Sequence, residues 1–282
     1  MPLEWVHELA SRAGELRPCN GTADVAAATR EQLRRNAKVI KVCASGGVFS
    51  EVDHPMHQQF TNAELSMIVE IAGMAERSVA AHCHGKAGIM AALEAGVRTI
   101  EHGTYLDEEC VVAMREADAI LVPTRSVIDA LRDLPLPAFA QRKGAAVAAQ
   151  HEDAVRLAIE GGVQIAAGSD VVFNVSAGGL SWGCHGREVG LLGDAGLSPL
   201  AAIEAATANG PLTLGAQAPR SGVLAVGYDA DVITLDADPL ANLRVLAGPE
   251  HVTNVWRAGQ QWKGADAGRS TPDLVGAQRG SA

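Results

Sequence analysis

Aromatic residues are scarce in this sequence of 282 residues, where phenylalanine, tryptophan and tyrosine together make up 4%. All-β sandwiches favour aromatic and β-branched side chains, so the composition argues against that class. Hydrophobic residues nevertheless make up 48% of the chain, with alanine, glycine and valine abundant, which is enough for a substantial core. The composition therefore favours tightly packed layers of helices and strands.

An excess of positive charge is also missing, since the formal net charge is −10. An acidic chain is a poor partner for a nucleic acid backbone or an anionic membrane surface. No stretch approaches ~20 apolar residues, the length that spans a bilayer. The opening segment MPLEWVHELASRAGEL lacks the long apolar run of a signal peptide. We therefore expect no nucleic acid partner, no membrane partner and a cytoplasmic protein.

Paired cysteine motifs are absent as well. The five cysteines are odd in number and form no C-x-x-C, which predicts reduced thiols and agrees with a cytoplasmic location.

No G-x-S-x-G elbow of a serine hydrolase occurs, and the glycine-rich stretches GGVFS and SAGGLSWG lack the Lys-Ser/Thr end of a phosphate loop.

Strand-like and helix-like segments alternate through residues 22–217. Five apolar runs read as strands: AKVIKVCAS, VAAHCH, RTIEHG, AILVPT and VQIAAGSD. A helical pattern at 22–36 precedes the first of these runs. Between the runs lie helical patterns after a Thr61/Glu64 capping box, at KAGIMAALEAG, at DEECVVAMREAD and at about 137–161, and a further helix is predicted at SPLAAIEAATANGPLTLG. This spacing is typical of βα units with a parallel sheet, so we predict an α/β fold, an incomplete (β/α) TIM-type barrel over residues 1–217.

The pattern changes after residue 217. The segments SGVLAVGYDADVITLDADPLANLRVL and VTNVWRAGQQWKG read as short strands with glycine, aspartate and proline turns. We predict part of a small β-sandwich over 218–264. The remaining segment, 265–282, is rich in small and polar residues, and we predict that it is disordered.

Chemically reactive side chains follow the predicted strands: Lys41, His82, His102, Thr124 and Asp170. In (β/α) barrels the carboxyl ends of the strands carry the active site. Imidazole and carboxylate groups are suitable ligands for zinc-like ions, and Asp170 could ligate or act as a base. A protonated lysine repels a metal, so Lys41 would join such a site only as a carbamate formed with CO2.

Each of these residues also has a simpler explanation. His82 and His102 could be hydrogen-bonded core histidines, with Glu101 pairing the second ring. Asp170 could cap a helix, and Lys41 could pair with an acid. Four such groups at one rim are harder to explain separately, because each buried polar group is costly without a shared purpose. Jointly they favour a metal site.

Two further histidines have open assignments. His84 would face the opposite side of the sheet if its strand continued, and it is a candidate substrate contact if it already lies in the loop. His185, in SWGCHGRE, lies either in a solvated loop or in a substrate pocket.

The motifs VIKVCASGGV, VAAHCHG, IEHGTYLDEE, LVPT, AAGSD, AAIEAATANGPLTLG and GYDADVITLDADPL follow one another in an order that resembles the amidohydrolase superfamily. The likeness covers about residues 22–263 and points to imidazolonepropionase-like and Xaa-Pro dipeptidase-like members, which are metal-dependent carboxypeptidases and dipeptidases. The set of motifs is specific, whereas each motif alone is not.

The resemblance implies a role for each strand-end residue. Lys41 matches a carbamylated lysine that bridges two metals, and His82 and His102 match ligands of the more exposed metal. Asp170 matches the aspartate that orients or deprotonates the attacking water. The implied activity is metal-dependent hydrolysis of amide or ester bonds in small N-acyl amino acids or dipeptides, with zinc or a similar ion. Arg125 and Arg187 are candidates, by position, for holding a substrate carboxylate, although each could equally form a surface salt bridge.

The sequence departs from the family pattern in one respect. Relatives have a first barrel strand that ends in His-x-His, whereas the only His-x-His here, His82-Cys83-His84, matches the fifth strand. We therefore expect about five of eight barrel strands and open sheet edges, which a homo-oligomer would cover. The alternative to an enzyme is a non-catalytic fragment that acts as a binding or assembly module.

Overall fold

Two sheets organise the computed structural model, which describes residues 16–171 and 180–264. Five parallel strands form the first sheet in the chain order β1-β2-β3-β4-β5, and three antiparallel strands form the second in the order β6-β7-β8. The strands are β1 (Val39–Cys43), β2 (Ser78–Cys83), β3 (Thr99–His102), β4 (Ile120–Val122), β5 (Gln164–Ile165), β6 (Val232–Leu235), β7 (Val252–Arg257) and β8 (Gln260–Lys263).

Helices connect the parallel strands and continue beyond them. They are α1 (Gly21–Arg34), α2 (Asn62–Met74), α3 (Lys86–Ala95), α4 (Glu108–Glu116), α5 (Arg125–Ala130), α6 (Ala138–Glu160), α7 (Arg187–Asp194) and α8 (Pro199–Ala206), with 3-10 turns at Pro211–Gln217 and Leu243–Leu246. The predicted capping box is confirmed at α2, because the Thr61 side chain accepts the Glu64 N–H and the Glu64 carboxylate accepts the Thr61 N–H. Such a cap satisfies two helix-end donors that would otherwise lack partners.

The main core lies between the parallel sheet and its helices. One face of the sheet contributes Ile40, Val42, Ala81 and Ile100, which pack with buried side chains of the helices such as Leu65. The other face borders a recess of about 300 Å³, lined in part by Lys41, Ala80, Thr99, Glu101 and Val122. Burial of the first face stabilises the sheet, since each buried aliphatic side chain contributes ~1.5–3 kcal/mol. The second face presents polar groups towards the recess.

Strand register brings the carboxyl ends of β1, β2 and β3 together. Cys43 pairs with His82 in the parallel ladder, and Cys83 pairs with His102. His82 itself pairs with Glu101, so His102 lies one position further along β3, and the two rings meet at the strand ends, where the backbone of His102 is left-handed. The fold therefore positions the polar residues that the sequence marks.

The predicted fold class is confirmed: the chain has a parallel α/β sheet and a small antiparallel sheet, and the parallel sheet is not closed into a barrel within the described residues. The division at residues 217 and 218 stays a prediction. The predicted disordered tail, 265–282, lies outside the described residues.

Several predicted boundaries are wrong. Lys41 is not at a strand end, because β1 continues to Cys43, which pairs with β2. The last strand of the sheet stops at Ile165, so Asp170 follows it in a loop. The helix predicted over 198–215 ends at Ala206 and gives way to a 3-10 turn that begins at Pro211, a residue that lacks an N–H for a continuing helix.

Two further predictions concern disulfide bonds and membrane-spanning helices. All five cysteines are free thiols, as their number and spacing predict. In the part of the chain that the structure describes, no helix is both long and apolar enough to cross a bilayer.

Candidate metal centre

Three histidine rings converge at the carboxyl ends of β2 and β3. The ring centroids are 4.8 Å apart for His82 and His84, 4.6 Å for His82 and His102, and 4.7 Å for His84 and His102. One ligand atom from each ring lies within 4.8 Å of the other two. The expectation that a continued strand would turn His84 to the opposite face is wrong, because side chains two positions apart in an extended segment share a face, and the rings of His82 and His84 lie on the same side.

Hydroxyl groups orient two of the rings. His84 Nδ1 lies 2.8 Å from Thr104 Oγ1, and His102 Nδ1 lies 2.6 Å from Thr124 Oγ1. These contacts engage Nδ1 and leave Nε2 as the candidate ligand atom in each ring. Metal-binding histidines commonly use their second ring nitrogen in this way. His82 differs, since its Nε2 donates to the main-chain carbonyl of Gly46 at 3.2 Å.

Burial keeps the three rings neutral. It lowers the pKa of His82 to about 4, and the nearby positive charge of Lys41 lowers it further. Burial also holds the pKa values of His84 and His102 well below the usual range, with a smaller contribution from the neighbouring rings. A neutral imidazole is the form that binds a metal ion, so the three groups need no deprotonation at neutral pH.

The backbone takes an unusual conformation at the end of β3 and in the segments that follow β4 and β5. His102, Thr124 and Asp170 have φ values of 72°, 53° and 51°, in the left-handed region. Such a conformation costs about 1–3 kcal/mol in a residue other than glycine and is concentrated at functional sites. The strain therefore coincides with residues that the sequence marks as reactive.

Lys41 lies on the recess face of β1 and pairs with an acid. Its side chain is half exposed, and its Nζ lies 3.9 Å from Glu101 Oε2. Thr99 Oγ1 donates to the other carboxylate oxygen of Glu101 at 2.5 Å. Pairing with an acid is the simpler explanation that the sequence left open for Lys41.

Asp170 and His185 occupy the end of the sheet beyond β5. The surrounding protein raises the pKa of Asp170, although the residue is solvent-exposed, and the charge of Lys41 opposes this rise. Ser169 Oγ lies 2.9 Å from His185 Nδ1, which places the exposed His185 beside Asp170. The charge of Lys41 also acts on His82 and His102. Lys41 is therefore close enough for its charge to affect the pKa values of Asp170, His82 and His102.

Both arginines that the sequence suggests as substrate contacts are engaged in ion pairs. Arg125 is 2% exposed, and its Nη2 lies 2.9 Å from a Glu152 carboxylate oxygen. Arg187 Nη2 lies 2.5 Å from Asp129 Oδ2. The salt-bridge explanation describes both contacts, and a role in substrate binding stays a prediction.

Sequence reasoning missed two buried residues behind this rim. His151, on α6, donates from Nε2 to the main-chain carbonyl of His102 at 2.9 Å. Glu188, on α7, accepts the main-chain N–H groups of Arg125 and Ser126 at 2.8 and 2.7 Å. Both lie at buried positions of amphipathic helices, and their residue types alone do not distinguish them from ordinary helix residues.

A (β/α)-type sheet with imidazoles gathered at its strand ends is the arrangement of metal-dependent hydrolases. The chain belongs to the amidohydrolase family, whose sequence profile matches residues 5–262. The resemblance inferred from the ordered motifs is thereby confirmed.

Ochratoxinase of Aspergillus niger is 45% identical to the chain over 269 residues, which cover 91% of this chain and 52% of that protein. This chain thus spans about half the length of the curated relative. The crystal structure of A. niger ochratoxinase superimposes with a TM-score of 0.80 over 88% of this chain and 56% of that one.

Two other solved structures are similar at lower identity. A Xaa-Pro dipeptidase with bound methionine is 32% identical with a TM-score of 0.78, and the match covers 87% of this chain and 59% of that one. A prolidase complexed with N-methylphosphonate-L-proline is 31% identical with a TM-score of 0.81, covering 91% and 62%.

Proposed function

We propose that this chain takes part in the hydrolysis of amide bonds, with His82, His84 and His102 holding one divalent ion such as zinc. The observation that carries the proposal is the convergence of three imidazole ligand atoms within 4.8 Å at the ends of adjacent parallel strands. Three protein nitrogens with a position left for water or substrate form the usual ligand set of a catalytic zinc ion. The donor set and the Nδ1 contacts of Thr104 and Thr124 fit such an ion.

A divalent ion bound there would supply Lewis acidity, which polarises a carbonyl group and lowers the pKa of water. Residues of the chain supply the proton transfer and the contact with the substrate. In this proposal Asp170, in the loop after β5, accepts the proton of the attacking water and passes it to the leaving amine. His185, fixed beside it by Ser169, contacts the substrate.

A carbamate on Lys41 fits the surroundings less well. The Lys41 ammonium faces the Glu101 carboxylate at 3.9 Å, and an anionic carbamate in its place would face a like charge. The carbamate inferred from the resemblance stays a prediction, and we route no step through it.

The preferred substrates, in this proposal, are small N-acyl amino acids or dipeptides. The support comes from similar structures, one of a dipeptidase with bound methionine and one of a prolidase with an N-substituted proline. Both ligands contain an amino acid, and we therefore propose amino acid derivatives as the substrate class. We place the activity in the cytoplasm, in keeping with five free thiols.

The test combines zinc titration of the purified, chelator-treated protein with release of free amino acid from N-acetyl-methionine and a Xaa-Pro dipeptide. We expect zinc to bind and to restore hydrolysis that the chelator abolishes. His102→Ala should lower kcat/KM by about 100-fold or more, and Asp170→Asn should lower kcat while zinc still binds.

His251→Ala is the matched control, because this histidine is exposed on the way into β7 and pairs with Asp236. Hydrolysis that is insensitive to chelation, or full activity in His102→Ala, would contradict the metal mechanism. Zinc binding without any hydrolysis would favour the binding module over the enzyme.

A further inference from the structure

The main chain of the candidate ligand His102 is held from behind by a buried histidine. His151 has no solvent exposure, and its Nε2 donates to the His102 carbonyl at 2.9 Å. We infer that His151 is a positioning residue that fixes the direction of the His102 ring, an inference that rests on the proposed role of His102 as a metal ligand.

The geometry at His102 explains why such support is needed. Its backbone is left-handed, with φ 72°, a conformation that an L-residue leaves readily when nothing holds it. Thr124 Oγ1 holds the ring at Nδ1, and His151 holds the main chain at the carbonyl. Together these contacts fix both ends of the residue, so the Nε2 atom is aimed in one direction.

The proton on His151 is itself placed by a neighbour. Arg125 Nη1 donates to His151 Nδ1 at 3.3 Å. An arginine carries only donors, so Nδ1 must be the acceptor and the proton must lie on Nε2, facing the His102 carbonyl. Arg125 is in turn anchored by Glu152 at 2.9 Å. A chain of contacts thus runs from Glu152 on α6 through Arg125 and His151 to the candidate centre.

A simple packing role would not require this chemistry. The neighbouring interior positions on the same helix face are apolar, among them Val147, Ala154 and Val155. A leucine at 151 would fill similar volume without burying polar atoms. The imidazole is therefore explained by its donor and acceptor rather than by its size.

The experiment compares His151→Leu, which removes the donor, with His151→Gln, whose amide nitrogen can replace Nε2 as donor to the carbonyl. Val155→Ala is the matched control, because it perturbs the same buried face of α6 one turn away without touching the contacts of His102. Zinc affinity is measured by competition with a chromophoric chelator. The histidine ring tautomers are measured in the zinc-free protein by long-range ¹H–¹⁵N NMR, with the His102 signals identified by their loss in His102→Gln.

We expect the leucine variant to bind zinc about 10–100-fold more weakly than the wild type, the range typical of lost supporting contacts. Its His102 signals should change from one neutral tautomer to a mixture. The glutamine variant and Val155→Ala should keep both the tautomer and the affinity.

An unchanged His102 tautomer in the leucine variant, or a glutamine variant as impaired as the leucine variant, overturns the positioning role. Absence of zinc binding by the wild type overturns the proposed function instead, and the tautomer comparison in the zinc-free protein still decides whether His151 orients His102. The two failures are therefore distinguishable.

Discussion

Glu188 shows how strongly burial can change the pKa of a single carboxyl group. Its side chain is 1% exposed and accepts the first two main-chain N–H groups of α5, from Arg125 and Ser126. Burial raises its pKa to about 7, and the hydrogen bonds with the charge of Arg125 only partly oppose this rise. The folded state therefore holds a proton on Glu188 at pH values where the unfolded state has lost it.

This pKa shift predicts that Glu188→Gln becomes more stable relative to wild type as the pH rises. The contribution of the protonated wild-type group to stability is complete below about pH 4.5, the usual pKa of an unfolded glutamate, and is lost as the pH rises through 7. Glutamine does not titrate. Between pH 5 and pH 8 the free energy of unfolding of the variant should therefore rise relative to wild type by about 2–3 kcal/mol.

Urea unfolding of both proteins at the two pH values measures this difference, and Glu70→Gln on the exposed side of α2 controls for the loss of one carboxylate. A stability difference between wild type and Glu188→Gln that stays constant from pH 5 to pH 8 would show that Glu188 is ionised throughout.

Single residues also mark the limit of sequence reasoning about the site. His82 and His102 are recognisable because each closes an apolar run on a neighbouring strand, but they are one position out of register, and the left-handed backbone of His102 is not visible in the sequence. His84 is equally predictable, because side chains two positions apart in an extended segment share a face. His151 lies on a helix about fifty positions later, so its contact with His102 depends on how α6 packs, which no local pattern contains.

At the scale of elements, the loop between β1 and α2 is closely fitted to the strand ends. Gly46 accepts a hydrogen bond from His82 Nε2 and donates its own N–H to the His57 carbonyl. A Cβ at this position would collide with the main chain of His54. From α6, Lys143 Nζ donates to the carbonyl of Ser50 at 2.5 Å and also to that of Asp53, which ties the loop down.

We predict that Gly46→Ala lowers the free energy of unfolding by about 1–3 kcal/mol, because the loop must move to admit the methyl group. The His82 contact would move with it, so zinc affinity should fall as well. Gly73→Ala is the matched control, since its Cβ would meet nothing within 4 Å in the exposed last turn of α2, and it should raise stability by up to about 1 kcal/mol. Thermal unfolding and zinc titration of both variants provide the measurement. Equal effects of the two substitutions would contradict the close fit of the loop.

Elements with a strong local signal are predictable from the sequence, and those fixed by tertiary pairing are not. The capping box at Thr61 starts α2 where the sequence indicates, and α6 spans nearly the predicted length. The run VQIAAGSD looks like a full strand, yet only Gln164–Ile165 pairs with β4. Apolar composition indicates burial there, but the ladder stops at Leu121, one residue before the end of the three-residue strand β4.

At the scale of the whole molecule, the parallel sheet has two open edges. Within the described ranges 16–171 and 180–264, β1 pairs only with β2 and β5 only with β4. Large apolar side chains are also exposed near the second sheet, among them Leu224 at 85% and Val226 at 106%. Unpaired edges and exposed apolar groups both favour association.

We therefore predict that the purified chain associates into homo-oligomers that dissociate on dilution. Size-exclusion chromatography with light scattering over a dilution series measures the mass directly. Leu224→Ser should leave the mass unchanged if the sheet edges make the contact, and should lower it if the apolar residues near the second sheet do. A strictly monomeric chain at all concentrations would contradict the expectation.

The chain order of the parallel sheet has a consequence for synthesis on the ribosome. Each strand of this sheet pairs with the strand made just before it, so the sheet can grow in the direction of translation without waiting for distant segments. The three imidazoles come from β2, the residue that follows it and β3. The three histidines therefore lie at one edge once β3 has joined, but Thr124 and His151, which hold His102, come from the later chain, so the centre is completed only after α6 has been made.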